Sequence, residues 1–360
     1  MRPKDFMHLL ERCLEAGSAD NELPSLFLVG PPGVGKTSMM HQVTQEKGVG
    51  FRHSQLTINE PSDLKGIPFP DGSGDTLKWL HDGYLPLSVN GNRPDLPERG
   101  IWLLDDLTTA PPLVQASAYQ AVIWPHQVGT AKLLPGWIVA GAGNREADQA
   151  LVKKMPTPLA NRFTHIHMDW ELENMQENLD DWTTWATGAG VEPMVVSFLN
   201  SPAATQSDHH LLFHFDPKHS QNAFPTPRSW ESVSRWKRAG LPRHIEQEAI
   251  EGTVGRGAAT ALWTFEALFS QLPDPMEILE RGNFDGTPTR RDLQYALACS
   301  LAQVASGVAH YENAIQWAEK VTPELGVLLL KIISGRDMQN LYLAPSYVKW
   351  ARENLDVVMT

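Results

Sequence analysis

A short apolar run, LPSLFLVG, passes without a break into GPPGVGKTSMMHQVTQEKG, and no other feature constrains the chain as tightly. Gly30-Pro-Pro-Gly-Val-Gly-Lys-Thr37 satisfies G-x-x-x-x-G-K-[ST], with a strand pattern before it and a helical pattern after it. Gly33 and Gly35 permit backbone angles that aim successive N–H groups at a phosphate. The helix behind them adds its positive end. Lys36 is set to reach the β and γ phosphates, and the Thr37 hydroxyl to ligate Mg²⁺. The expected nucleotide-binding residues are therefore Gly30, Pro32, Gly33, Val34, Gly35, Lys36, Thr37 and Ser38, with ATP and Mg²⁺ as ligands.

A phosphate loop needs a metal-holding carboxylate on a neighbouring strand. Ile101-Trp-Leu-Leu-Asp105-Asp106 delivers two acids at the end of an apolar run, where open α/β sheets bind ligands. Asp105 is expected to join Thr37 at the metal, and Asp106 to orient or polarise the attacking water. Two further runs, PGWIVAGAGN and the alternating RFTHIHMDW, read as strands, and PPLVQASAYQAVI reads as a helix. Four strands separated by helices predict a parallel sheet with helices on both faces. A helix at Phe6, Leu9, Leu10, Cys13 and Leu14 precedes them. The Gly/Pro-rich stretch from Glu60 to Pro86 reads as an inserted loop bearing a hairpin around DGSGD, and QVGTAKLLPG as a second small hairpin.

Past Trp170 the patterns become helical. The expected organisation is a nucleotide-binding core over residues 1–170 with its insert at about 60–86, a helical lid over 171–268, and a helical C-terminal extension over 269–360. The formal charge of −12 argues against general binding to a nucleic-acid backbone, which needs clustered cations. Two cysteines, Cys13 and Cys299, fit a reducing cytoplasm rather than a disulfide framework. Glu11 and Arg12 interrupt the apolar core that a signal peptide would need. No apolar run approaches the roughly 20 residues that span a bilayer. A soluble, cytoplasmic chain is expected.

GPPGVGKT, LLDDLTTAPPLVQASAYQAV, GAGN, LANRF and TPRSW follow one another in the order and spacing of AAA+ ATPases. DDLTTAPP and PTPRSW resemble the MoxR branch. The resemblance runs from about Leu26 to Arg235 and leaves the C-terminal third uncovered. It implies that Asn144 is sensor one, positioning the lytic water with Asp106. It implies that Arg162, in Leu159-Ala-Asn-Arg-Phe163, is an arginine finger reaching the adjacent subunit's γ-phosphate. Arg228, in Thr226-Pro-Arg-Ser-Trp230, becomes sensor two. Two residues depart from the pattern. Asp106 stands where AAA+ proteins usually carry glutamate, which shortens its reach by about 1.5 Å; displacement by about 1 Å can cost on the order of 10²-fold in rate. Thr108-Thr109 replaces an asparagine–arginine pair common in MoxR relatives.

The resemblance further implies an ATP-driven remodeller or chaperone, assembled as a homo-hexamer and working with a von Willebrand factor A-type partner to mature or activate a client protein. A nucleotide-gated oligomeric scaffold with slow turnover is the first alternative. A DNA-directed motor is the second, and the acidic balance counts against it. Other constellations read as structural. His165 and His167 lack a third metal ligand, and His209, His210 and His214 fall in a loop pattern. Gly255-Arg-Gly257 reads as a turn, and Trp170, Trp182, Trp185, Trp230, Trp236 and Trp263 as lid core. Arg235, Lys237, Arg238 and Arg243 read as a solvated face. Asn144 to Asp148 has the wrong spacing for a guanine-binding signature.

Overall fold

Strands that are apolar at every position must be covered on both faces, and the computed structural model shows how this chain covers them. It describes residues 1–16, 23–72, 75–91, 93–148, 155–216, 222–269 and 271–354. These form two compact units, Met1–Trp170 and Glu171–Thr360. The first unit opens with α1 (Pro3–Ala16), β1 (Ser25–Val29), α2 (Lys36–Lys47), β2 (Gly50–Gln55) and α3 (Pro61–Lys65). The hairpin β3 (Ile67–Pro70) and β4 (Leu77–Leu80) follows, then β5 (Leu87–Ser88), β6 (Gly100–Asp105) and α4 (Pro112–Val122). It closes with β7 (Gln127–Val128), β8 (Ala131–Leu133), β9 (Trp137–Gly143), α5 (Thr157–Ala160) and β10 (Phe163–His167).

Five of these strands form one parallel sheet in the order β10-β1-β9-β6-β2. Successive strand residues point to opposite faces. Phe27, Trp102, Leu104 and Val139 pack with Val114, Ala118 and Ala121 of α4. The alternate residues Leu28, Ile101 and Leu103 are fully buried on the other face, where α2 packs on β6 and β2, and α1 on α2 and β9. Glycine is required at one point in this sheet. Gly50, Gly100 and Trp137 are paired across three adjacent strands, and the indole lies where a Cβ on either glycine would fall, 2.6 and 2.7 Å away. The first unit is thus a parallel α/β sheet with helices on both faces and inserted hairpins.

The sheet has one strand more than the four read from sequence. GFRHSQ is the edge strand β2, and its mix of polar residues hides it from a search for apolar runs. The insert also contains the short helix α3, closed by a reciprocal cap between Glu60 and Asp63. The DGSGD hairpin is present as β3–β4, although residues 73–74 at its tip lie outside the described residues. QVGTAKLLPG forms β7–β8, with β5 as a third strand.

The second unit holds α6 (Met175–Gly188), α7 (Pro193–Leu199), α8 (Pro227–Arg238), α9 (Arg243–Val254) and α10 (Arg256–Phe269). It continues through α11 (Pro275–Arg281), α12 (Arg291–Val304), α13 (Gly307–Ala318), α14 (Pro323–Tyr342) and α15 (Tyr347–Glu353). Leu297, Leu301, Tyr311, Trp317 and Leu329 form one core, and α14 also packs on α6, and α12 on α7. Of the tryptophans read as lid core, Trp182 and Trp230 are buried. Trp170 belongs to the first unit, and Trp236 is exposed with its N–H donated to Thr253. Among the described residues no cluster of three or more His, Cys, Asp or Glu side chains is placed to hold a metal ion, and no helix is long and apolar enough to cross a membrane.

His210 is buried in the loop before α8 and accepts the Leu212 N–H at Nδ1, 3.0 Å away. Burial pushes its pKa down to about 4, against the opposing hydrogen bond to Leu199. A folded value below the unfolded one near 6.5 makes this contribution complete above about pH 6.5 and lost as pH falls toward 4. The loss is roughly 3 kcal/mol at pH 4. Thermal melts between pH 7 and 4.5 should show a steeper decline for the native protein than for His210→Asn, which keeps an acceptor and does not titrate. Equal slopes would assign the acid sensitivity elsewhere.

Candidate nucleotide site

β1 ends at Val29, and the chain turns through Gly30 to Gly35 into α2. Gly33 and Gly35 take φ of 77° and 93°, the region open to glycine but costly to other residues. Gly35 is the N-cap of α2 and provides no side-chain cap, so the first-turn N–H groups of that helix are left for a ligand. A Cβ on Gly35 would meet nothing within 4 Å.

Lys36 is buried, and its ammonium donates to Gly30 O at 2.9 Å, Pro31 O at 2.8 Å and Asn144 Oδ1 at 2.9 Å. Thr37 Oγ1 donates to Asp105 Oδ2 at 2.7 Å. The parallel sheet makes both contacts possible, because β1, β6 and β9 are neighbours or next neighbours and all present their C-terminal ends to one edge. That edge is the expected ligand side of an open α/β sheet. Val34 is buried, and Ser38 is exposed one residue beyond Thr37.

Asp105 also receives His53 Nε2 at 2.9 Å and the Asp106 N–H at 3.0 Å. Burial pushes its carboxyl upward, but hydrogen bonds from His53 and Thr37 outweigh that and hold it below the usual carboxylate range. An ionised carboxylate beside a hydroxyl is a hard oxygen pair of the kind Mg²⁺ takes. Asp106 sits at a φ of 53°, and its Oδ2 accepts the Gln55 amide at 2.5 Å. Its carbonyl accepts the N–H and hydroxyl of Thr109, so this half of the Thr108-Thr109 departure closes a turn within the same subunit.

Of the residues expected at the site, Lys36, Thr37, Asp105 and Asn144 are joined by direct hydrogen bonds, and Asp106 is next in chain. Arg162 is exposed and lies outside this set. It follows α5, donates to Pro158 O at 2.6 Å and stacks over the Tyr119 ring at 5.3 Å. Arg228 lies in the second unit, exposed in the first turn of α8 behind the Thr226–Ser229 capping box. His53 and Gln55 were not among the expected residues. They lie two apart on β2 and so share one face, and each meets one of the two acids. The missed signal was the alternation in GFRHSQ.

No family model matches the chain. It is similar in structure to a single-site mutant of RuvB from Thermotoga maritima, at 18% identity over 83% of this chain and 82% of that one, with a TM-score of 0.41. The Thermotoga maritima RuvB Holliday junction branch migration motor is similar at 19% identity over 83% and 80%, TM-score 0.39. NtrX from Brucella abortus in complex with ADP is similar at 12% identity over 99% and 68%, TM-score 0.37.

Lys36→Ala removes a charge-assisted donor from the centre of this network. Titration with a fluorescent ATP analogue should show affinity reduced about 10- to 100-fold, with an unchanged far-UV spectrum. Native affinity in the folded variant would remove Gly30–Thr37 from the nucleotide site.

Proposed function

We propose that this chain hydrolyses ATP to ADP and phosphate as one subunit of a ring, in the manner of a MoxR-like AAA+ remodeller. The observation that carries the reading is the pair of hydrogen bonds tying the phosphate loop to Asp105 and Asn144. In this reading the loop amides and Lys36 hold the β and γ phosphates, and Arg228 contributes from a lid over 171–268, followed by the extension over 269–360. Thr37 and Asp105 hold Mg²⁺, which when bound neutralises charge across the phosphate oxygens. Asp106 orients and polarises the attacking water, and Asn144 fixes that water from the other side. Arg162 neutralises charge on the phosphoryl group bound by its neighbour. A von Willebrand factor A-type protein and a client would complete the machine in the cytoplasm.

A second reading, a nucleotide-gated scaffold with slow turnover, draws support from Gln55. Its amide occupies an oxygen of Asp106, the carboxylate that must meet water. Phosphate release separates the two. Under the first reading Arg162→Ala and Lys36→Ala are each nearly inactive, since arginine fingers contribute about 10³- to 10⁵-fold. Mixed, they regain partial activity, because some interfaces pair an intact loop with an intact finger. No recovery despite proven subunit exchange would count against action across the boundary. Native turnover no faster than that of Lys36→Ala would favour the scaffold.

The β3–β4 hairpin supports a docking role. Ile67, Phe69, Leu77 and Leu80 are all at least half exposed, at a cost of about 25 cal/mol per Å² of apolar surface left in water. Asp71 N donates to Thr76 O, which makes that pair hydrogen-bonded and, by alternation, puts Pro68 and Pro70 at positions whose nitrogens face outward. The outer edge of β3 therefore lacks donors at both positions, and strand addition on that edge is blocked. Engagement along β3 has to use the side chains. Shortening Pro70 to Leu77 should leave nucleotide binding intact and weaken capture of the partner or client in a pull-down. Undiminished capture would move the docking surface to the C-terminal helices.

A further inference from the structure

Asn144 to Asp148 has no role as a guanine-binding signature, yet Arg145 and Asp148 within it are tied together, next to the Asn144 that meets Lys36. The Asp148 side chain is 1% exposed. Its Oδ1 accepts Arg145 Nε at 3.1 Å and Nη2 at 2.9 Å, and its Oδ2 accepts the Arg145 main-chain N–H at 3.0 Å. In return Asp148 N donates to Arg145 O at 3.1 Å, closing the 3-10 turn Glu146–Asp148. A buried carboxylate is expensive to desolvate, and well-packed apolar residues often serve stability as well as a buried ion pair does. Stability alone is therefore a weak reason for placing an ion pair here.

The main-chain bond points to a different use. The Arg145 N–H belongs to the peptide plane that follows Asn144, so holding it fixes the ψ of Asn144. Asn144 leaves the last residue of β9, and its Oδ1 accepts Lys36 Nζ. One side of Asn144 is set by the sheet, and the other by Asp148. We propose that Asp148 is the positioning residue for Asn144, pinning its backbone so that its amide stays at the tip of Lys36 and faces the position of the γ-phosphate. Arg145 Nε also reaches Oδ2, at 3.3 Å, so the guanidinium fork holds the carboxylate while Oδ2 stays on the main-chain N–H. The proposal rests on the reading of Asn144 as the residue that fixes the lytic water.

The test compares Asn144→Ala, Asp148→Asn and the double variant. Asp148→Asn should lower kcat for ATP about 10- to 100-fold with KM within about twofold. The double variant should be no slower than Asn144→Ala alone, since Asp148 acts through Asn144. Additive losses, or an unchanged kcat in Asp148→Asn, overturn the proposal. Full turnover by Asn144→Ala would instead sink the role given to Asn144 itself. Amide hydrogen exchange supplies a readout without activity. In nucleotide-free Asp148→Asn the Arg145 N–H should exchange faster while β1 and β9 keep their protection, and unchanged protection at Arg145 also overturns the proposal. Should Asp148→Asn fail to fold, Arg145→Gln removes the fork and carries the same double-variant test with Asn144→Ala.

Discussion

A carboxylate buried at the edge of a parallel sheet must find hydrogen bonds, and Asp105 finds them from three directions. Thr37 comes from the start of α2, His53 from β2, and the Asp106 N–H from its own chain. These contacts offset the burial that would otherwise favour the neutral acid, so the group stays ionised. They also set where the phosphate loop and the edge strand stand relative to β6. The sheet brings these groups to one edge, and one charge joins them there.

The second acid obeys a different constraint. Asp106 adopts a φ of 53°, in the left-handed region, where aspartate and asparagine are enriched and other non-glycine residues are rare. The backbone has a reason to prefer Asp over Glu here, because a short polar side chain tolerates this conformation better. A glutamate would carry its carboxylate one bond further and meet more strain in the main chain. The short side chain and the turned backbone are therefore one feature, and the Gln55 amide holds the carboxylate from the adjacent strand.

How much of this could be read beforehand depended on the kind of signal each element leaves. The phosphate loop, Asp105 and Asn144 follow apolar strands, and apolar strands are conspicuous: Leu28, Ile101, Trp102, Leu103 and Leu104 are almost wholly buried. β2 left no such trace. An edge strand needs cover on fewer sides, so GFRHSQ could spend His53 and Gln55 on the acids and Arg52 on Tyr84, whose carbonyl and ring it meets. Residues chosen for a site do not repeat with the period of a core. The helix α3 was hidden for a related reason, since five residues are too few to establish a helical period, and only the Glu60–Asp63 cap marks them.

Arg228 stands at a helix end where its charge is disfavoured. The N-terminal end of a helix carries partial positive charge, and a cation there is disfavoured by about 0.3–1 kcal/mol at an exposed site. Yet α8 begins with Pro227 and Arg228, its acidic first-turn positions are empty, and its cap is the neutral Thr226–Ser229 box. The three basic residues of its last turn, Arg235, Lys237 and Arg238, sit where the dipole favours them. Arg228 does not, and no feature of the helix gains from it. An arginine at the unfavourable end of an otherwise well-capped helix is where an anion would offset both charges at once, which is the place it takes in the function we propose.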